Sequence, residues 1–210
     1  QYKTITISGA HGKSTTTALT ALVLEQGYFD PMVILVTRLR EFGDSNFRPG
    51  RSGYFVLEAD EYNRSFLQYS PYIAVVTNID KEHLDTYKTI EGVEYAFAKY
   101  LAKIPSGGMI VVNGDDERLS HLTRHITDRR VIQYSLRDPE ARLIKKILKI
   151  PGEHNVSNAL AALHVGRLLG IHEPHILYAL SNFRGAWRRF QLKGVFHGAT
   201  IISDYGHHPR

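Results

Sequence analysis

The chain has 210 residues, 43% hydrophobic and 22% charged, a balance that can bury one substantial core and excludes a disordered or fibrous polypeptide. It contains no cysteine, which excludes disulfides and thiolate metal sites and leaves metal chemistry to oxygen and histidine. The formal charge of +5 comes from dispersed basic residues interrupted by acidic runs such as Glu58 to Glu61, which argues against a nucleic-acid partner and suits a polyanionic small substrate.

The first predicted element is a strand, Thr4 to Ser8, and the turn Gly9-Ala10-His11-Gly12-Lys13-Ser14-Thr15 follows it directly. A helix is predicted from Lys13 to Gln26. This order is what a phosphate cradle needs, because small residues let backbone N–H groups approach the phosphates and the helix N-terminus adds favourable partial charge. Lys13 is expected on the β and γ phosphates and the Ser14 hydroxyl on Mg²⁺, with Gly9, His11, Gly12 and Thr15 completing the cradle. The wider phosphate-loop pattern asks for glycine where Ile7 stands, so the match is to the shorter GxxGK[ST] form. A glycine turn that merely caps a helix is the alternative.

A strand is predicted at Met32 to Val36, and then Thr37 to Ser52, with Gly43, Asp44, Asn46, Pro49 and Gly50, reads as a long irregular loop, either functional or plainly mobile. The next strand, Tyr54 to Leu57, ends on Glu58-Ala59-Asp60-Glu61, and the strand Ile73 to Val76 is followed by Thr77-Asn78-Ile79-Asp80-Lys81-Glu82-His83-Leu84-Asp85. Ligands of open α/β sheets bind outside the carboxyl ends of the strands, so the glycine turn, Glu58 and His83 are expected at one edge. Glu58 offers the hard oxygen that Mg²⁺ prefers, and the softer His83 suits a second ion that also tolerates Mn²⁺. Asp60, Glu61, Asp80 and Asp85 read equally well as solvated helix-start charges.

Further along, a helix is predicted at Ile90 to Ile104 from the spacing of Val93, Phe97, Tyr100 and Leu101. A strand at Met109 to Val112, a helix at Glu117 to His125 and a strand at Arg130 to Tyr134 follow. Asp138 to Ile150 is expected to extend a sheet edge. PGEHNVSN then opens a helix from about Val156 to Leu169, another runs near Pro174 to Asn182, and the pattern is strand-like from Trp187. The alternation predicts an α/β fold, a mostly parallel sheet with helices on both faces. No apolar stretch approaches the roughly 18 to 20 residues that span a bilayer. The opening QYKTITISGAHGK runs into a strand without a cleavable leader pattern, so a cytoplasmic protein with no membrane partner is expected.

GAHGKSTTT, EADEYNRSF, TNIDKEHLDTY, PGEHNVSNALAA, FRGAWRRFQ and DYGHHP, in this order, resemble the Mur ligase family across nearly the whole chain. EADE with RSF, TNID with HLDTY and the final DY-HHP look most like the branch that joins L-alanine to UDP-N-acetylmuramate. The resemblance implies a phosphate-loop central domain over residues 1–184 and the beginning of a C-terminal ligase domain over 185–210. It also implies that a UDP-binding domain is absent ahead of residue 1, so that the piece binds nucleotide without ligating. The implied reaction uses ATP to phosphorylate the substrate carboxylate, and the amino acid then attacks the acyl phosphate to form the amide.

By matching motifs, the resemblance implies Lys13 on the phosphates, Ser14 and Glu58 on one Mg²⁺, and His83 on a second. It places Asn155 on the adenine edge with His154 beside it, Arg188 or Arg189 on the γ-phosphate, and Asp204 by the ribose or phosphates. His207 and His208 are implied near the substrate junction, and the Thr37 to Ser52 loop, which precedes the Glu58 strand and carries Asn46, Arg48 and Arg51, is expected to border the sugar-nucleotide site. Two departures are visible: Ser14 stands where the family often has threonine, and Ser203-Asp204 where it often has paired aspartates. The alternatives are a related ligase that attaches a recycled peptide to the same sugar nucleotide, a phosphate-loop kinase or NTPase, and a non-catalytic nucleotide-binding module.

Overall fold

In the computed structural model, which describes residues 2–206, the apolar runs become strands of one seven-stranded sheet. They are β1 (Lys3–Ser8), β2 (Met32–Leu39), β3 (Ser45–Arg48), β4 (Tyr54–Glu58), β5 (Ile73–Val76), β6 (Met109–Asn113) and β7 (Arg130–Tyr134). Their spatial order is β3-β2-β4-β1-β5-β6-β7, all pairs parallel except the antiparallel β2–β3 edge. The helices are α1 (Lys13–Gln26), α2 (Leu84–Tyr87), α3 (Ile90–Ala102), α4 (Glu117–Thr123), α5 (Pro139–Ile147), α6 (Glu153–Leu168) and α7 (Glu173–Asn182).

Successive strand residues point to opposite faces, and here both faces are covered, which is why the strands read as unbroken apolar runs. Ile5, Ile7, Ile73, Val75 and Val111 pack with Leu19 and Val23 of α1 and Ala159 and Leu163 of α6 in one core. Ala74, Val76, Ile110 and Val112 pack with Val93, Phe97, Tyr100 and Leu101 of α3 in the other. A fully buried large aliphatic side chain contributes about 1.5 to 3 kcal/mol, against about 0 to 1 kcal/mol for an exposed ion pair such as Lys145–Glu153. The two apolar layers therefore hold the sheet.

Two segments differ from their expected form. Thr37 to Ser52 is not one irregular loop: β2 continues to Leu39, a 3₁₀ turn covers Arg40–Phe42, and β3 returns along β2. Arg48, from that segment, pairs with Asp30 at 2.8 Å and donates to the Pro31 carbonyl at 2.8 Å. Those partners lie at the start of β2, the opposite end of the sheet from Glu58. Asp138 to Ile150 is helical over Pro139–Ile147 and does not extend the sheet. Pro139 suits a first helical turn, and Ala141 and Ile144, three apart and buried, make a helical stripe with Lys145 and Lys146 outside it.

The topology directs the site. From β1 the chain moves through α1 to β2 on one side, returns through β4, and crosses to β5 on the other side of β1. The direction of winding reverses at β1, and an open sheet binds ligands at such a reversal. Register brings the edges level, with Ile7 opposite Glu58 and Ser8 opposite Val76.

After α7, β8 (Gln191–Phe196) and β9 (Ala199–Ser203) form a separate two-stranded sheet. Leu192, Val195 and Phe196 on it are exposed. The segment before it is tied to β2 by the Trp187 amide donating to the Arg38 carbonyl at 3.0 Å and by the Thr37 hydroxyl donating to the Trp187 carbonyl at 2.9 Å. Among the described residues no helix is long and apolar enough to cross a membrane.

Candidate functional site

The turn after β1 is shaped by two glycines with positive φ, Gly9 at 125° and Gly12 at 83°. A Cβ on Gly9 would stand 2.3 Å from the Thr77 hydroxyl and one on Gly12 2.4 Å from the Asn158 side-chain oxygen, so glycine is required twice over. Residues after β5 clamp the turn from below. Thr77 donates to the His11 carbonyl at 2.6 Å, and the Asn78 amide group donates to that carbonyl at 2.9 Å while accepting from the His11 amide at 2.8 Å. The His11 ring lies 3.3 Å from Asp80.

Lys13 opens α1, and its ammonium donates to the Gly9 carbonyl at 2.7 Å, the Ala10 carbonyl at 3.3 Å and Glu61 at 2.9 Å. The buried Ser14 hydroxyl donates to Glu58 at 2.8 Å, and the other Glu58 oxygen accepts from the Val36 amide at 2.9 Å. Burial pushes the Glu58 carboxyl above its usual range, outweighing those two hydrogen bonds and the positive charges of Lys13 and Arg189. Glu58 is a buried hard-oxygen donor short of positive charge, beside a hydroxyl, and this donor set suits Mg²⁺.

His83 is brought to the same edge but against different carboxylates. Its Nε2 lies 3.6 Å from Glu61 and 3.9 Å from Asp60, and Tyr62 meets its ring edge-on at a centroid distance of 5.2 Å. Glu61, expected as a solvated charge, is 2% exposed. Burial raises its carboxyl, but His83 and Lys13 outweigh burial and hold it below the usual carboxylate range, while Glu61 holds His83 above the usual imidazole range. The second Glu61 oxygen, Oε2, is buried without a hydrogen-bond partner. Periodicity gave no sign of this burial, because Glu61 follows the strand in an irregular turn where Asn63 and Arg64 take left-handed φ of 50° and 59°.

Lys13, Ser14, Glu58, Asp60 and His83 line a cleft of about 1350 Å³, whose wall also includes Gly12, Asn113, His154, Asn155 and Arg189. Asn155 is buried at the start of α6, where its amide donates to the Pro151 carbonyl at 2.6 Å, and His154 beside it is exposed. Asn158, one helical turn on, brings its side-chain oxygen against Gly12, a role the motif carried without indicating. Lys99 is on the exposed side of α3 with its ammonium over the Tyr95 ring.

The two arginines before β8 separate. Arg189 reaches in, its guanidinium 3.5 Å from the Ser14 hydroxyl. Arg188 lies between the Trp187 and Tyr205 rings, at 5.3 and 5.1 Å from their centroids, and is not part of the cleft wall. Asp204 lines the cleft, and its carboxylate accepts from the Phe190 amide at 2.6 Å. His207 and His208 lie outside the described residues.

Comparison with known proteins converges on one family. The model of the Mur ligase middle domain matches residues 7–149. The UDP-N-acetylmuramate–L-alanine ligase of Pelotomaculum thermopropionicum is 43% identical over 99% of this chain and 50% of its own length. The ligase of the same name from Endomicrobium trichonymphae is 42% identical over 98% of this chain and 50% of its own. Among solved structures, the UDP-N-acetylmuramate-alanine ligase of Thermotoga maritima superposes with a TM-score of 0.82 at 27% identity, covering 100% of this chain and 52% of that one. The chain thus spans about half the length of the curated relatives it matches.

Proposed function

The chain belongs to the Mur ligase family, and from that premise we propose that it carries the ATP-binding part of a ligase joining L-alanine to UDP-N-acetylmuramate. The observation that carries the reading is the meeting at one sheet edge of a glycine-shaped turn, Lys13, the Ser14–Glu58 pair and Arg189, within a chain whose relatives bear that ligase name. Residues 1–184 serve as the central nucleotide domain, and the segment from 185 contributes Arg189 and Asp204 from a second unit.

In this reading the turn's amides and Lys13 hold the β and γ phosphates, and Gly9, Gly12 and Thr15 let the backbone approach them. Ser14 and Glu58 hold one Mg²⁺ and His83 bears on a second, with Mn²⁺ tolerated; bound there, the ions neutralise charge on the phosphate oxygens. The carboxylate of the sugar nucleotide attacks the γ phosphorus, and ADP leaves. Lys13 and Arg189 steady the charge spread over the transferring group, so positioning and electrostatics supply most of the rate. The amino nitrogen of L-alanine then attacks the acyl carbon, phosphate departs with the bonding pair, and the nitrogen loses a proton to complete the amide. The acyl phosphate must be kept from water, and a cleft roofed by the Arg189 segment provides the means. His154 and Asn155 bound the adenine end.

Calorimetric titration with a non-hydrolysable ATP analogue, with and without Mg²⁺, tests the nucleotide half. Metal-enhanced binding that depends on Lys13 supports it, and no binding under either condition rejects it. The acceptor is tested in the full-length protein, supplied with ATP and UDP-N-acetylmuramate. Formation of the L-alanyl amide in preference to amides of glycine or D-glutamate is expected, and preference for a peptide acceptor would reassign it.

A further inference from the structure

Glu61 is 2% exposed, carries one oxygen with no partner, and is bonded through the other to Lys13, the residue that must serve the phosphates. Buried carboxylates are not left uncompensated, because an unpaired charge in the interior is strongly unfavourable. Nucleotide that draws the Lys13 ammonium away leaves this carboxylate with His83 alone beside it, so a further positive charge favours the exchange. The replacement is provided for in the geometry: one ligand atom each from Asp60, Glu61 and His83 lie within 4.8 Å of one another, and His83 stands 3.6 Å from the same Glu61 oxygen that Lys13 occupies.

We propose that Glu61 is a positioning residue which releases Lys13 to the phosphates and takes a divalent cation in its place, so that nucleotide and metal binding are coupled through this one carboxylate. The inference rests on the nucleotide-binding reading above and adds to it a residue and a direction. Without metal, Glu61 competes with the phosphates for Lys13 and its charge repels them. With metal, Asp60, Glu61 and His83 share the cation, and Lys13 is free to turn. A residue that only filled space would give no such dependence.

The test is calorimetric titration of the chain with a non-hydrolysable ATP analogue, in chelator and in excess Mg²⁺, for the wild type, Glu61→Gln and Glu61→Asp, with folding checked by circular dichroism. Gln keeps the shape and removes the charge, whereas Asp keeps the charge and shortens the reach. For Glu61→Gln we expect metal-free affinity to rise about threefold or more, and the gain on adding Mg²⁺ to shrink by about fivefold or more, within the range of ordinary coupling energies. Glu61→Asp should retain most of the wild-type gain. A folded Gln variant whose gain equals that of the wild type overturns the proposal, as does an Asp variant that loses it, and the Asp arm decides the matter if Gln does not fold. Absence of any binding by the wild type would instead reject the nucleotide reading on which it rests.

Discussion

The phosphate-loop edge and the β8–β9 hairpin both present charge to the same cleft, and they are built in opposite ways. At the loop, Lys13 has three acceptors, both Glu58 oxygens are bonded, and Ser14, Glu58 and Glu61 are buried beneath backbone fixed by glycine and by Thr77 and Asn78. On the hairpin side, Arg188, Phe190 and His197 take left-handed φ of 57°, 47° and 47°, conformations that cost non-glycine residues stability, and Leu192, Val195 and Phe196 face solvent. The difference separates a site set in advance by the sheet from a roof held by few bonds. Side-chain truncations that face the cleft should change both stability and binding in the first, and binding alone in the second.

The largest expected effect is at Lys13. Lys13→Ala removes the phosphate contact and leaves the buried Glu61 without its nearer counter-charge. Affinity for a non-hydrolysable ATP analogue should fall about 100-fold, equivalent to about 2.7 kcal/mol, and thermal stability should fall with it by about 3 kcal/mol. An unchanged melting temperature would break the comparison at its strongest point. Gly9→Ala comes next, since its Cβ would meet the Asn78 carbonyl oxygen at 2.9 Å as well as Thr77, and φ 125° is strained for alanine. A loss of more than about 2 kcal/mol in chemical denaturation is expected, against about 1 kcal/mol for Gly198→Ala on the hairpin, where φ 81° is strained for alanine but no atom stands in the way. Glu58→Gln follows: it keeps an acceptor for Val36 but loses the charge, and the Mg²⁺-dependent part of analogue affinity should drop about tenfold in calorimetry.

Much of the sheet was legible because strands buried on both faces leave unbroken apolar runs, and β5 and β7 have the bounds the sequence suggested, as does α1. The edge was not. A strand such as β3, with Asn46 and Phe47 exposed, needs no apolar run, and its pairing partner β2 lies only a few residues back, so the segment reads as loop. α5 was hidden because its buried stripe, Ala141 and Ile144, is short and is interrupted by Glu140, Arg142, Lys145 and Lys146. Within the cleft, strand ends and the glycine turn located Lys13, Ser14, Glu58 and His83 at one edge, since parallel topology alone brings strand ends level. Glu61 and Asn158 were not legible, because their roles depend on burial and on close approach across the fold, which spacing along the chain does not encode.

Arg188 and Arg189 sharpen the comparison most finely, because they are adjacent and the sequence treats them alike. Arg189 approaches Ser14 from the roof, so Arg189→Ala should weaken analogue binding about fivefold, with the melting temperature within about 1 °C of wild type. Arg188 stands between the rings of Trp187 and Tyr205, so its charge is directed to the aromatic stack and not to the cleft wall. Cation–π contacts at exposed sites are worth about 0.5 to 1 kcal/mol, and Arg188→Ala should alter analogue affinity less than about twofold. If the two variants lost affinity equally, the hairpin would have to turn on binding so that both arginines enter the cleft, and the roof would be a moving part with Arg188 serving the transferring phosphate. If only Arg189 mattered, the roof would close in the geometry already present, and the left-handed φ at Arg188 would serve to point consecutive arginines in different directions.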